Sequence, residues 1–218
     1  MRVTEIFDSI DGEGIWAGCL ATFIRLSGCN LRCEYCDTSY SWETGQEMTV
    51  EEIIEKVKKY GNHHVTLTGG EPLIHKDVKT LIQMLSQNRF LINVETNGAV
   101  DIGPFRNIRN CHFTMDYKLS SAGEAANKAM DLSFWDQLDA CDCVKLVCQE
   151  SDFPEIKEVL HHFTRAEIYL SPIYGKVDLK KLVELLKEIR DQGYPCYPRT
   201  RMQIQLHKVI WDPDTKGV

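Results

Sequence analysis

Three cysteines, Cys29, Cys33 and Cys36, fall in the run Ser27-Gly28-Cys29-Asn30-Leu31-Arg32-Cys33-Glu34-Tyr35-Cys36-Asp37-Thr38. The spacing C-x3-C-x2-C commits whatever fold forms to one short loop with thiols turned inward. Thiolates are the ligands iron–sulfur clusters take, and three from one loop can hold three irons of a cubane [4Fe–4S] cluster. No fourth cysteine follows at cluster spacing, so one iron would lack a protein ligand and could take a small molecule. A structural zinc knuckle and three reduced core thiols are the plainer alternatives. Zinc sites usually pair two ligand clusters, and no second cluster follows downstream.

The other six of the nine cysteines, Cys19, Cys111, Cys141, Cys143, Cys148 and Cys196, lack such spacing and read as small buried hydrophobes. An odd cysteine count suits a reducing compartment, and no apolar run reaches membrane length. The start Met1-Arg2-Val3-Thr4-Glu5 lacks a signal-peptide core, so a cytoplasmic protein is expected. A net charge of −7 argues against a nucleic-acid groove, which needs clustered Lys and Arg; the expected partner is a small molecule.

Alternation predicts six strands: Thr22–Leu26, Val65–Thr68, Leu91–Glu95, Cys111–Met115, Cys143–Val147 and Glu167–Leu170. Between them lie helices. Thr49-Val50-Glu51-Glu52 is a capping box, with Ile53, Ile54 and Val57 as the apolar stripe and Gly61 as the stop. Val78, Leu81, Ile82 and Leu85 mark a second helix, and two more are expected at about Phe153 to Phe163 and at Leu179 to Gln192, the last capped by Asp178. Alternating β and α units give an α/β fold: an incomplete TIM-type barrel of about six parallel strands, with functional residues just past strand ends. Residues 1–218 read as one domain, with 200–218 as a C-terminal segment closing on the site. Ile6 to Gly18 carries Ser9-Ile10-Asp11-Gly12-Glu13-Gly14, two glycines bracketing a carboxylate in a turn. Arg25 is either a solvated edge charge or a fork for an anion. His63-His64 and His161-His162 are placed at helix ends and given no chemistry.

The cysteine loop resembles that of the radical S-adenosylmethionine (SAM) superfamily. With Gly69-Gly70-Glu71-Pro72, the Asp11-Gly12-Glu13-Gly14 turn before Phe23-Ile24-Arg25, the Cys36-Asp37-Thr38 ending and the terminal Gln203-Ile204-Gln205-Leu206-His207-Lys208, the chain is similar nearly end to end to the 7-carboxy-7-deazaguanine synthase family. That resemblance implies a radical SAM lyase converting 6-carboxy-5,6,7,8-tetrahydropterin to 7-carboxy-7-deazaguanine with loss of ammonia, on the route to queuosine and other 7-deazapurines. It implies a [4Fe–4S] cluster on Cys29, Cys33 and Cys36, SAM, and Mg2+ on the Thr38 hydroxyl, a homodimer, and a one-electron reductant such as flavodoxin or ferredoxin. It assigns SAM contacts to Tyr35, Gly70, Glu71, Asp116, Tyr117, Lys118, Ser171, Pro172, Ile173 and Tyr174. It assigns substrate contacts to Ile10, Asp11, Gly12, Glu13, Arg25, Thr68 and His207.

The chain departs from the family in having Asp11 where Gln is frequent and Asp116-Tyr117-Lys118 where Ser-Pro-Lys is frequent, and in running on past His207-Lys208 to Val218. The rival enzyme is a glycyl-radical activase, which shares the cysteine spacing but has no need of the Asp11 to Glu13 turn or the Gln205-Leu206-His207 segment. A non-catalytic iron–sulfur or zinc module has no use for Gly69-Gly70-Glu71-Pro72.

Overall fold

The computed structural model describes all of residues 1–218. In chain order the elements are β1 (Arg2–Ile10), β2 (Leu20–Leu26), β3 (Gln46–Glu47), α1 (Val50–Tyr60), β4 (His64–Gly69), α2 (Val78–Gln87), β5 (Leu91–Thr96) and β6 (Cys111–Lys118). There follow α3 (Glu124–Asn127), β7 (Cys143–Cys148), α4 (Phe153–Val159), β8 (Glu167–Pro172), α5 (Leu179–Asp191), β9 (Thr200–Met202) and α6 (His207–Ile210). One open sheet holds all nine strands in the order β3-β1-β2-β4-β5-β6-β7-β8-β9. From β2 to β9 every pairing is parallel, whereas β1 runs antiparallel to β2 and to β3. A sheet that does not close on itself is the partial barrel expected.

The six expected strands are all present, and the parallel set runs to seven. β9 adds a seventh parallel strand; at three residues it is too short to show an alternation. The expected turn at Ser9 to Gly14 is preceded by a strand that was not expected: β1 runs to Ile10, and the turn begins at Asp11. Helix signals held up better because capping chemistry is local. Thr49 Oγ1 accepts from the Glu52 N–H at 3.2 Å while Glu52 Oε2 accepts from the Thr49 N–H at 2.8 Å, and Gly61 ends α1 at φ 76°. Asp178 caps α5 as expected, and α4 closes at Val159, earlier than expected. His63-His64 does not end a helix, since His64 opens β4 and packs edge-on against Trp16. Of the six remaining cysteines only Cys143, Cys148 and Cys196 are buried; Cys141 is exposed.

Successive side chains on a strand point to opposite faces, and here the faces differ in kind. Val65 and Leu67, Ile92 and Val94, Phe113 and Met115, Val144 and Leu146, Ile168 and Leu170 all join one apolar cluster with the buried residues of α1, α2, α4 and α5. Their strand neighbours Thr66 and Thr68, Asn93 and Glu95, Thr114 and Asp116, Cys143 and Lys145, Tyr169 and Ser171 face the other way. A hydrophobic outer face bound to helices leaves a polar inner face whose burial must be compensated by pairing. That face is where chemistry-bearing residues accumulate.

Candidate active site

At one end of the parallel strands the cysteine loop follows β2, and the Gly69-Gly70 turn follows β4. The two pack tightly. A methyl group on Gly70 would overlap the Gly28 carbonyl and the Cys29 side chain, so only glycine lets this turn meet the loop. Glu71 is fully buried and its carboxyl ties the ends of β4 and β5 together. Oε1 accepts from the Leu73 N–H and the Thr96 hydroxyl, each at 3.0 Å, and Oε2 accepts from the Asn97 N–H at 2.6 Å. Burial pushes its pKa up to about 7 against the pull of those donors.

All three cluster cysteines are reduced and half-buried, and none is in a disulfide. They lie near enough to act on one another: the Cys33 thiol is raised first by burial and further by Cys36 and Cys29. Cys29 Sγ accepts from the Leu31 N–H at 3.4 Å and the Asn97 amide at 3.7 Å, donors that would suit a thiolate bound to iron. The loop's donor chemistry therefore fits a cluster. Tyr35 packs with Leu31, Ala122 and Ala126 beside Cys33, its hydroxyl buried without a partner and its ring 5.8 Å from Lys118 Nζ. Thr38 Oγ1 lies 3.8 Å from Cys36 Sγ, and neighbouring Asp37 is paired with Lys208 at 2.8 Å.

The turn from Asp11 to Gly14 closes over the inner face and is met there by the C-terminal segment. Gln203 bonds Gly14 twice, its Oε1 accepting from the N–H at 2.6 Å and its Nε2 donating to the carbonyl at 3.0 Å. The Leu206 N–H donates to the Gly12 carbonyl at 3.1 Å. The His207 ring lies over Gly12 so closely that any Cβ there would collide with it. Glu13 accepts from the Ser171 hydroxyl on Oε1, and from Lys145 at 3.0 Å and Gln205 at 3.2 Å on Oε2. Burial alone would push Glu13 up, but the Lys145 ammonium and the Ser171 hydroxyl outweigh it and hold the carboxyl below its ordinary range. Asp11 has no cation that close. It accepts from Thr66 Oγ1 at 2.8 Å, and burial, then Glu95, push it up to about 7.

Across the sheet, Asp116 pairs with Lys118 at 2.5 Å and with Lys145 at 3.4 Å, and the two lysines keep it ionised despite burial. Arg25 donates through Nε to Glu5 at 2.7 Å, and Glu5 also accepts from the Tyr40 hydroxyl at 2.7 Å. The guanidinium is thereby anchored by one edge, and its two terminal nitrogens carry no hydrogen bond. An anchored Arg with a free fork is suited to a carboxylate.

Most residues singled out in the sequence thus share this inner face or its rim, but not all. Tyr117 alternates away from Asp116 and Lys118 and packs against Trp135, ring centroids 5.6 Å apart, on the helix side. Tyr174 is largely exposed beyond β8, and Ile173 donates its N–H to the Cys148 carbonyl. Lys145, Glu95 and Asn97 were not anticipated. A lysine inside the otherwise apolar strand Cys143-Val144-Lys145-Leu146-Val147 was the available signal, because such a charge needs a buried partner.

Comparison with known proteins bears on this geometry. Residues 23–145 match the model of the radical SAM superfamily. The 7-carboxy-7-deazaguanine synthase of Clostridium acetobutylicum is 37% identical, over all of this chain and 99% of its own. That of Methanospirillum hungatei is 38% identical over 98% of this chain and 86% of its own. Among solved structures, QueE from Escherichia coli superposes with a TM-score of 0.73 at 24% identity, covering 94% of each chain.

Proposed function

Because the chain belongs to the radical SAM superfamily and, within it, to the 7-carboxy-7-deazaguanine synthases, we propose that its polar inner face is the pocket in which the reaction of that family takes place. The enzyme is a radical SAM carbon–nitrogen lyase that converts 6-carboxy-5,6,7,8-tetrahydropterin to 7-carboxy-7-deazaguanine with loss of ammonia. Its cofactors are a [4Fe–4S] cluster and SAM; when bound, they supply a carbon radical able to take a hydrogen atom from the substrate.

One observation carries the site reading. The Asp11–Gly14 turn and the Gln203–His207 segment, two of the stretches on which the resemblance rests, meet through paired hydrogen bonds over the polar inner face of the sheet. Cys29, Cys33 and Cys36 hold the cluster. Tyr35 and Lys118 bound the adenine side of the SAM pocket, with Gly70 and Glu71 at the amino group and Asp116 and Ser171 beneath. Glu13, ionised and acceptor-only, takes an N–H of the pterin ring on the free lone pair of Oε1. The open fork of Arg25 takes the substrate carboxylate, Ile10, Asp11, Gly12 and Thr68 line the ring edge, and His207 seals the mouth against water. Exclusion of water and a fixed pose are what the protein contributes, since a primary carbon radical attacks what lies nearest.

Thr38 would hold Mg2+ through its hydroxyl, where the ion would orient the substrate carboxylate. Such an ion keeps most of its water and needs few protein ligands, so the lack of a converged carboxylate set is no obstacle. The enzyme works as a single domain, residues 1–218, in a homodimer, with 200–218 as the closing segment and a flavodoxin or ferredoxin as electron donor. No helix is long and apolar enough to cross a membrane.

The test is anaerobic reconstitution followed by dithionite, SAM and the carboxypterin. Ring-contracted product supports the reading. Formation of 5′-deoxyadenosine without that product sinks the substrate assignment, and absence of both sinks the cofactor assignment as well.

A further inference from the structure

Lys145 is the least expected group in the molecule. It sits in the middle of β7, in register with Asp116 of β6 and Tyr169 of β8, and its side chain is 10% exposed. A buried ammonium is costly unless anions and hydrogen bonds surround it. Here two carboxylates do so, Glu13 Oε2 at 3.0 Å and Asp116 Oδ1 at 3.4 Å, with Glu95 of β5 adding its field. These two carboxylates belong to opposite sides of the cavity. Glu13 is on the turn that closes with the C-terminal segment; Asp116 leads through Lys118 to the Tyr35 ring beside the cysteine loop.

We propose that Lys145 is a positioning residue of this enzyme: it aims the Glu13 carboxylate at the substrate and ties it to Asp116 on the cofactor side, so that one ammonium sets both halves of the cavity. The proposal rests on the substrate reading given above. Its chemistry follows from donor and acceptor counts. Ionised Glu13 has about four acceptor sites, of which Ser171, Lys145 and Gln205 take three. The remaining one, on Oε1, is the acceptor for a ring N–H. Asp116 of β6 also faces Glu13, and His207 of α6 is the remaining titratable group there; neither supplies a standing positive charge, because burial lowers the His207 pKa. Without Lys145, burial would protonate Glu13, and an acceptor would become a donor aimed at another donor.

The experiment compares cluster-loaded wild type with Lys145→Met, Lys145→Arg and the double variant Lys145→Met/Glu13→Gln. Substrate dependence is measured across pH, and the infrared band of protonated carboxyl is followed in protein carrying isotope-labelled glutamate. Lys145→Met is expected to raise KM by at least about tenfold, with a smaller change in kcat, and to move the acid limb of kcat/KM to higher pH. Besides the Glu71 band common to all variants, a second protonated-glutamate band should appear near neutral pH in Lys145→Met and vanish in the double variant. Lys145→Arg keeps the charge and should return the acid limb to its wild-type place. A general loss of packing would lower activity at every pH and move neither the limb nor the band. An unmoved limb, or no new band, in folded Lys145→Met overturns the proposal. If wild type makes no product from the carboxypterin, the substrate reading fails, while the infrared comparison, which needs no substrate, still decides what Lys145 does to Glu13.

Discussion

Glu71→Gln separates what the buried carboxyl does as a hydrogen-bond hub from what it does as a buried charge. In wild type three donors converge on it, from Leu73, Thr96 and Asn97. A glutamine can keep its oxygen toward Leu73 and Thr96, but its amide then faces the Asn97 N–H, donor against donor. One buried donor left unsatisfied costs about 1–3 kcal/mol. The opposing contribution comes from linkage. Burial pushes Glu71 up to about 7 in the folded state, against an ordinary glutamate value of 4.5. The folded protein therefore binds more protons than the unfolded chain between those values, and stability contributed by this group falls as pH rises through that window. At about pH 8 the ionised carboxylate destabilises the fold by roughly 3 kcal/mol, and at about pH 5 by under roughly 1 kcal/mol. Glutamine carries neither cost. Urea denaturation of the apo protein under reducing conditions should then show Glu71→Gln less stable than wild type at about pH 5, with the deficit shrinking or reversing by about pH 8. All other groups cancel in the difference. A deficit that stays constant over this range would refute the claim that Glu71 titrates near neutrality in the folded state.

Other outcomes follow from the same contacts. Gly12→Ala should push His207 off the turn, raising substrate KM by about tenfold or more while leaving SAM cleavage without substrate intact, as read by 5′-deoxyadenosine release. Replacing any one of Cys29, Cys33 and Cys36 by serine should abolish the cluster absorbance and that release, with an unchanged far-ultraviolet circular dichroism spectrum, because the loop lies outside the main apolar cluster. Asp11→Asn should remove from kcat/KM a titration near pH 7, since the raised Asp11 carboxyl is neutral below that value and charged above it. Thr38→Ala and EDTA should each depress turnover without touching the cluster spectrum; wild-type rates under both would remove Mg2+ from the site.

What could be read from the sequence was whatever is settled within a few residues. The capping box of α1, the Asp178 cap, the cysteine spacing and the Gly69-Gly70-Glu71-Pro72 turn all depend on near neighbours, and all stand where expected. β1 was missed because its burial pattern does not alternate cleanly, with Glu5 and Phe7 both half-buried on a face that is neither core nor solvent. The side of the sheet that Tyr117 takes is legible too: a period of two separates it from Asp116 and Lys118 once the strand is carried to its end.

The site's charges were a different matter, for they come in pairs drawn from distant parts of the chain. Glu13 meets a lysine from β7 and a glutamine from the C-terminal segment; Arg25 meets Glu5 only because β1 and β2 run antiparallel in that register. Each pairing decides a protonation state. Asp11 and Glu13 are two residues apart on one turn, yet burial and then Glu95 push the first up to about 7, whereas direct contact with the Lys145 ammonium and the Ser171 hydroxyl holds the second low. On an inner face whose carboxylates outnumber its cations, the placement of Lys145 therefore determines which of them accepts and which can donate, and with it the hydrogen-bond pattern that a bound heterocycle has to match.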